Sequence, residues 1–220
     1  MFDEGTKVAL FGIVMTAWIF GMTGEQLAPR DDLQTAVNIK GLPPLPLSVA
    51  PDGSPAQDRV SPMTVDLSHG FKAELLASYL IEGRVVTHRE YRHDSTSDIS
   101  PLDLGIVYGD LAKPGGVDDM EFKTSPRMLW AYAPPDADLP DNWNDLITNN
   151  HVILANQAVN DALMAIEVGS HVRLRGYLVK VTGNGKPWRS SLRRNDGSYV
   201  GGCEIILVTD VTVLRDAPTT

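Results

Sequence analysis

The sequence predicts a mainly β domain that follows an N-terminal membrane segment and a proline-rich linker. An uncharged apolar run, Val8 to Met22, lies near the N-terminus, and a stretch rich in proline, serine and aspartate comes after it. Much of the remaining chain alternates apolar and polar residues at the two-residue period of β-strands. We therefore expect a membrane anchor over residues 1–24, a linker over 25–62 and a globular domain over 63–216.

Length, charge and cysteine content limit the class of protein. A chain of 220 residues with 43% hydrophobic content can build one sizeable domain. The formal net charge of −9 disfavours general electrostatic attraction to nucleic acid or to anionic lipid. The chain has one cysteine, which cannot form an internal disulfide, so cysteine usage indicates no redox compartment.

The apolar run VALFGIVMTAWIFGM predicts a transmembrane helix. At about 1.5 Å per residue it would span roughly 22 Å, somewhat less than the hydrocarbon core of about 30 Å. A cleaved signal peptide and a buried helix of a soluble domain stay open as alternatives. An anchor through residues 8–22, with Lys7 on the cytoplasmic side, would place the domain in the periplasm or another extracytoplasmic space as a single-pass protein of a bacterial inner membrane.

The linker is predicted from composition and the domain from periodicity. GLPPLPLSVAPDGSPAQDRVSP shows no hydrophobic period and favours an extended tether. In the domain, strands are predicted around residues 79–88, 128–133 and 171–181, within WRSSLRR, and over CEIILVTDVTVL.

A small barrel is predicted from the last part of the chain. The three C-terminal strands imply an antiparallel meander, with a turn at Asn195-Asp196-Gly197. Gly176 inside a strand indicates a bulge or bend, as small closed barrels use. A helix is predicted after Asn156 and before Gly169. The fold class is therefore a small OB-like β-barrel with one or two helices, an α+β fold in which α is minor.

The polar run REYRHDSTSD, residues 89–98, is predicted to join two strands. Asp94 or Asp98 is expected to close an Asx turn there. His88, His93 and Asp94 lie close in sequence, but the five histidines show neither HxH nor HxxxH spacing. We therefore predict no metal site and no cofactor.

Four stretches carry a resemblance to a known group of proteins. They are YLIEGRVVTHREYRHDSTSDISPLDLGIVYGDL, NNHVILAN, VGSHVRLRGYLVKV and WRSSLRRNDGSYVGGCEIILV, and they cover most of residues 79–208. In this combination the chain resembles a group of uncharacterised bacterial membrane-anchored proteins with a C-terminal β-rich domain. The resemblance implies an envelope-facing domain and leaves the activity open.

Positive charge is concentrated in one part of this acidic chain. Between Val168 and Asn195 the sequence contains seven basic residues and no Asp or Glu. Arginines beside aromatic residues on a small barrel are typical of OB-type binding surfaces. The candidate ligand-binding residues are Arg173, Arg175, Tyr177, Trp188, Arg189, Arg193 and Arg194. The alternative is that these arginines form cross-strand ion pairs with Asp196, Glu204 and Asp210.

We interpret the basic face as the functional surface of a membrane-anchored binding or assembly module rather than of an enzyme. Its predicted ligand is an acidic partner protein, an anionic glycan of the envelope or a lipid headgroup. Nucleic acid is disfavoured outside the cell. A cytosolic OB-like nucleic-acid binder remains an alternative if the N-terminal run is a core helix.

A second hypothesis is a cysteine-dependent hydrolase or transpeptidase. Cys203, His151 and Asp103 supply the residue types of nucleophile, base and orienting acid. A histidine, then a strand, then a later cysteine is similar to the order in sortase-type transpeptidases, although no TLxTC motif precedes Cys203, and Arg193 and Arg194 lie upstream of it. Against this hypothesis, a lone cysteine in an apolar strand is most often a small buried hydrophobe.

Overall fold

The computed structural model describes residues 37–183, 185, 187–193 and 203–215, together with the backbone of 7–12. The strands are β1 Lys7–Gly12, β2 Ala56–Arg59, β3 Thr64–Asp66, β4 Lys72–Glu90, β5 Leu102–Val107, β6 Glu121–Thr124, β7 Met128–Ala133, β8 Ile147–Leu154, β9 His171–Thr182, β10 Trp188–Arg189 and β11 Cys203–Arg215. The α-helix of these ranges is α1, Gln157–Met164, and 3₁₀ turns lie at Ser68–Gly70, Gly109–Ala112 and Trp143–Leu146.

The strands form two sheets. Three strands follow the order β1-β7-β6, and the larger sheet follows the order β10-β9-β11-β8-β5-β4-β2, with β3 and β9 also paired to β4. The predicted mainly β class is confirmed. The finer prediction of a small OB-like barrel stays a prediction; β4, β5, β8, β11 and β9 pair in this order, and β9 pairs in turn with β4.

Alternating residues of β11 pack in two different apolar clusters. Ile206 and Val208 join the cluster that also contains Leu163 of α1. Ile205 and Leu207 join a second cluster, with Ile153 of β8. Because successive side chains of a strand point to opposite faces, the β8–β11 part of the sheet separates these two clusters. A third cluster lies against β7.

The predicted helix is confirmed at its N-terminus. Asn156 caps α1, and its side chain accepts a hydrogen bond from Val159 N at 3.0 Å. Val159 and Leu163 are buried, as their spacing predicts. The helix ends at Met164, before the predicted stop at Gly169, which has a positive φ of 99°.

Gly176 lies where two strands approach closely. It sits between Val208 of β11 and Tyr79 of β4, and the register of β11 shifts between Val208 and Asp210. A Cβ at Gly176 would lie 2.0 Å from the Leu207 carbonyl oxygen. The predicted irregularity therefore exists, and it occurs as a register shift on β11 opposite this glycine.

The C-terminal strands are not a simple meander. β9 pairs antiparallel with both β10 and β11, but β11 also pairs in parallel with β8. The chain makes this parallel pair by crossing over through α1 and β9, a long-range connection that strand periodicity does not reveal. The predicted turn at residues 195–197 lies outside the described residues.

The structure does not support the N-terminal transmembrane helix. Lys7–Gly12, which overlaps the predicted helix, is a strand paired antiparallel with β7. Residues 13–22 lie outside the described ranges. Within those ranges, no helix is both long and apolar enough to cross a membrane.

The described part of the predicted linker packs on the domain. Val37 is buried, and its amide donates to the Ala155 carbonyl at 2.7 Å. Ala56–Arg59 forms β2 and pairs with β4. Residues of the predicted linker therefore contact the predicted domain.

Candidate active site

Three neighbouring strands bring Asp103, His151 and Cys203 to one face of the larger sheet. Asp103 of β5 lies directly opposite His151 of β8. Cys203 of β11 lies opposite Asn149, two residues before His151 on β8. Opposed residues of paired strands share a face, as do residues two apart on one strand. The three residue types chosen from the sequence as a possible catalytic set therefore converge in space.

His151 lies between the carboxylate and the thiol. Its Nδ1 is 2.8 Å from Asp103 Oδ1, and the Cys203 side chain lies close enough to interact electrostatically with the ring. Because Nδ1 is engaged by Asp103, Nε2 is the nitrogen that remains for the sulfur. His151 and Asp103 are each 1% exposed and Cys203 is 0% exposed, so water reaches none of the three.

The environment of His151 favours its charged form. Burial opposes the imidazolium, but the negative charge of Asp103 and the Cys203 sulfur outweigh burial and raise the pKa of His151 to about 10. His151 is therefore protonated at neutral pH. A histidine held by a carboxylate and placed beside a cysteine is the set of residue types that nucleophilic cysteine enzymes use.

Arg127 fixes the carboxylate behind the histidine. Its Nη1 donates to Asp103 Oδ1 at 2.7 Å, which is the same oxygen that His151 contacts. Its Nε and Nη2 donate to the two carboxylate oxygens of Asp94 at 2.7 and 3.0 Å. Nη2 also donates to the Ser100 carbonyl at 2.8 Å. The planar guanidinium thereby holds two carboxylates at a defined separation.

The polar segment before β5 supplies the outer part of this network. Asp94 Oδ1 accepts from Thr96 N at 2.9 Å, which is the predicted Asx turn. Burial opposes the Asp94 carboxylate, but the hydrogen bonds and charge of Arg127 prevail and lower the pKa of that group. The ring of Tyr91 lies under the guanidinium, with 3.8 Å between Arg127 Cζ and the ring centroid. The segment that joins β4 to β5 is therefore also part of the site.

Two further side chains contact the reacting groups. Trp188, half-buried, packs on His151 with 4.9 Å between the ring centroids. Asn149 Nδ2 lies 3.7 Å from Cys203 Sγ and donates to the Arg127 carbonyl at 3.2 Å. Trp188 was predicted as part of a basic surface, whereas the structure places its ring against the buried histidine.

The predicted basic face is partly occupied by internal pairs. Arg173 Nε donates to Glu82 at 2.6 Å, and Arg175 Nε donates to Asp210 at 2.8 Å. Tyr177 is buried, and its hydroxyl donates to the Pro43 carbonyl. For Arg173 and Arg175 the arrangement is the cross-strand pairing that the sequence offered as the alternative, with Asp210 among the expected partners.

The other basic candidates differ in position. Arg189 on β10 and Arg193 just after it are exposed. Arg194 lies outside the described residues. Within the described part of the chain, no group of three or more His, Cys, Asp or Glu is placed to hold a metal ion.

Arg127 and Asn149 were not found by reasoning from the sequence. Arg127 is a single arginine between β6 and β7, outside the basic run, and it is buried with a positive φ of 61°. Asn149 belongs to NNHVIL, a run that contains polar residues yet is buried along most of its length. The nearest available signal was the polar content of that buried strand, because a polar group taken out of water requires a partner.

The fold and site together define a class: a β domain whose sheet carries a buried Cys–His–Asp arrangement backed by an arginine. Neither family models, nor curated proteins, nor solved structures match the chain. The geometry of these residues is therefore the evidence from which function is inferred.

Proposed function

We propose that the domain is a cysteine-dependent acyl-transfer enzyme, a hydrolase or transpeptidase with Cys203 as its nucleophile. The observation that carries the proposal is the position of His151, which contacts Asp103 through Nδ1 and interacts with the neighbouring Cys203. Nucleophile, base and orienting acid in mutual hydrogen-bond reach are the geometric signature of such enzymes.

Each residue has a defined part in the reaction. The Cys203 thiolate attacks the carbonyl carbon of an ester, thioester or amide, and the His151 imidazolium gives its proton to the leaving group. This leaves a thioester on Cys203 and a neutral His151. His151 then removes a proton from water or an amine, which attacks the thioester and releases the thiolate. Asp103 keeps the Nδ1 proton of His151 in place throughout.

Arg127 and Asp94 position Asp103. Arg127 neutralises part of the negative charge of Asp103 and fixes the oxygen that His151 contacts. Asp94 balances the arginine and ties it to the segment before β5. A charge network with matched donors and acceptors keeps a catalytic histidine in one orientation.

Access to the sulfur requires movement of the side chains above it. Cys203 has no exposed surface, and the indole of Trp188 covers His151. Ser190, two residues after Trp188, donates to Glu204 at 2.6 Å and accepts from the Ile205 amide at 3.0 Å. The segment around Trp188 is therefore attached to the start of β11 by hydrogen bonds, and a substrate that reaches His151 must displace the indole.

The proposal is tested by acylation with p-nitrophenyl acetate, followed by mass spectrometry of the intact folded protein. Because the chain has one cysteine, a thioester can form only at Cys203. We expect the acetylated species in the wild type and in Trp188→Ala, where the smaller side chain removes the indole that packs on His151, and none in Cys203→Ala. His151→Asn, which retains a nitrogen for Asp103, should lower the rate by roughly 10²–10⁴-fold.

Unfolded protein and a histidine outside the site provide the controls. Denatured wild type gives the rate of an unassisted thiol, and His88→Asn changes a histidine whose Nε2 lies 3.1 Å from the Leu163 carbonyl, away from Cys203. The proposal fails if folded wild type and Trp188→Ala both acylate no faster than His151→Asn.

A second candidate is the binding module predicted from the basic run. Exposed Arg189 and Arg193, close to one another in sequence, favour it. Changing Arg189, Arg193 and Arg194 together to alanine should weaken binding to dextran sulfate by roughly tenfold or more, since one hydrogen bond to a charged group contributes about 1.5–3 kcal/mol. The thermal midpoint should stay the same, as measured by circular dichroism. Unchanged binding, or a large fall in the midpoint, would contradict this candidate.

A further inference from the structure

We propose that Asn149 is a catalytic residue of this site, whose side-chain amide donates a hydrogen bond to the oxyanion formed when Cys203 attacks a carbonyl group. The inference rests on the acyl-transfer function proposed above. It assigns the group that stabilises the transition state, which the Cys–His–Asp set does not supply.

Asn149 faces the nucleophile from the neighbouring strand. It is the residue of β8 directly opposite Cys203 of β11, and it is 1% exposed. Its Nδ2 carries two hydrogens. One is donated to the Arg127 carbonyl at 3.2 Å, and the other lies toward Cys203 Sγ, 3.7 Å away.

The orientation of the amide is fixed by its partner. A carbonyl oxygen can only accept, so the atom that contacts the Arg127 carbonyl must be the nitrogen of the Asn149 side chain. Arg127 is itself held by Asp94 and Asp103. The donor toward Sγ is therefore held in place before any substrate arrives, as electrostatic stabilisation of a transition state requires.

The contact with sulfur is weak in the resting state. Sulfur is a poor acceptor, and 3.7 Å is a long contact. When Sγ bonds to a carbonyl carbon, the oxygen on that carbon lies next to the same N–H. A negative oxygen is a far better acceptor than sulfur, so this bond strengthens as the oxyanion forms.

The Asn149 Oδ1 atom is buried, and among the described residues it has no hydrogen-bond partner. A buried amide that forms only part of its hydrogen bonds costs free energy in the folded state. Asn150 carries the same cost, so it is the position opposite Cys203, and not the unpaired oxygen, that indicates a role for Asn149.

The next residue provides a matched control. Asn150 lies on the opposite face of β8, is 0% exposed, and donates through Nδ2 to the Leu104 carbonyl at 3.1 Å. Its Oδ1 is likewise without a partner among the described residues. The two asparagines share strand, burial and hydrogen-bonding pattern, and they differ in facing the thiol or facing away from it.

The test compares two reactions of the one thiol. Acylation by p-nitrophenyl acetate passes through an oxyanion, whereas alkylation by iodoacetamide is a displacement at a saturated carbon and forms none. In Asn149→Ala we expect acylation to slow by about 10²–10³-fold, with alkylation changed no more than a few-fold. In Asn150→Ala the ratio of the two rates should equal that of the wild type.

Asn149→Asp keeps the size of the side chain and replaces the donor by an acceptor, and it should show the same selective loss. Circular dichroism establishes that each variant is folded. If Asn149→Ala and Asn149→Asp lower both rates equally, or neither, Asn149 does not stabilise an oxyanion and the inference is overturned. If folded wild type and Trp188→Ala form no thioester, the acyl-transfer function is rejected, and this inference with it.

Discussion

Arg127→Ala is expected to lower the free energy of unfolding by about 3–5 kcal/mol, the loss typical when one partner of a buried ion pair is removed. Arg127 is 5% exposed, and its guanidinium contacts both Asp94 and Asp103. Without it, Asp103 would be buried with a negative charge that only His151 could balance. Urea unfolding followed by tryptophan fluorescence measures the change.

Arg127→Lys separates charge from geometry. A lysine restores one positive charge, but a single ammonium cannot contact two carboxylates and the Ser100 carbonyl in the way that the guanidinium does. We expect this variant to recover less than half of the lost stability. It should also acylate slowly, because Asp103 would no longer be held at one position.

Arg173→Ala is the surface control for Arg127. Arg173 has one carboxylate partner, Glu82, and the two side chains are 34% and 22% exposed. Solvent screens such a pair, so we expect a loss of at most about 1 kcal/mol. If Arg127→Ala costs no more than Arg173→Ala, Arg127 does not hold the site together.

Strand periodicity predicted those parts of the fold whose burial alternates. β7 has the predicted bounds, and β9 and β11 cover the predicted stretches. β8 was not predicted, because Thr148 to His151 are polar residues in a strand that is buried on both sides. Its parallel partner β11 is distant in sequence, and a pairing of that kind depends on tertiary packing rather than on local pattern.

The candidate catalytic set could be predicted by residue type but not by position. With one cysteine and five histidines, the sequence allows few combinations, and Cys203 with His151 was among them. Convergence with Asp103 depends on the registers of three strands, and a shift of one residue would turn the side chains to the other face. The role of Arg127 could not be predicted for a similar reason, because its left-handed backbone and its two carboxylate partners arise only in the folded chain.

Stability is expected to fall as the pH rises from about 6.5 to about 10, by a few kcal/mol in total. The pKa of His151 is raised from 6.5 to about 10 in the folded state, so between these values the folded protein holds a proton that the unfolded chain has lost. The stabilisation is complete below pH 6.5 and disappears as the pH passes the folded value. Each pH unit over which one extra proton is bound changes the free energy of unfolding by up to about 1.4 kcal/mol.

Other groups with shifted pKa values affect the free energy of unfolding in different pH ranges. The pKa of Asp94 is lowered by Arg127 against the effect of burial, so its contribution is lost only as the pH falls through the acid range. Burial raises the pKa of Tyr91 to about 12, with a further contribution from Asp103. This group therefore lowers stability as the pH rises from about 10 to about 12. Burial and Arg215 lower the pKa of His171, which makes stability rise with pH up to about 6.5.

His151→Asn isolates the contribution of the histidine to this pH dependence. We expect the variant to be less stable than the wild type at pH 6.5 and to lose little further stability up to pH 9.5, so that the two curves of unfolding free energy converge. Urea titrations at intervals of pH give both curves. Parallel curves would mean that His151 gains no proton on folding, and the imidazolium that we assign to the resting site would then be wrong. Convergence together with slow acylation of the same variant would connect the buried charge to the reactivity of Cys203.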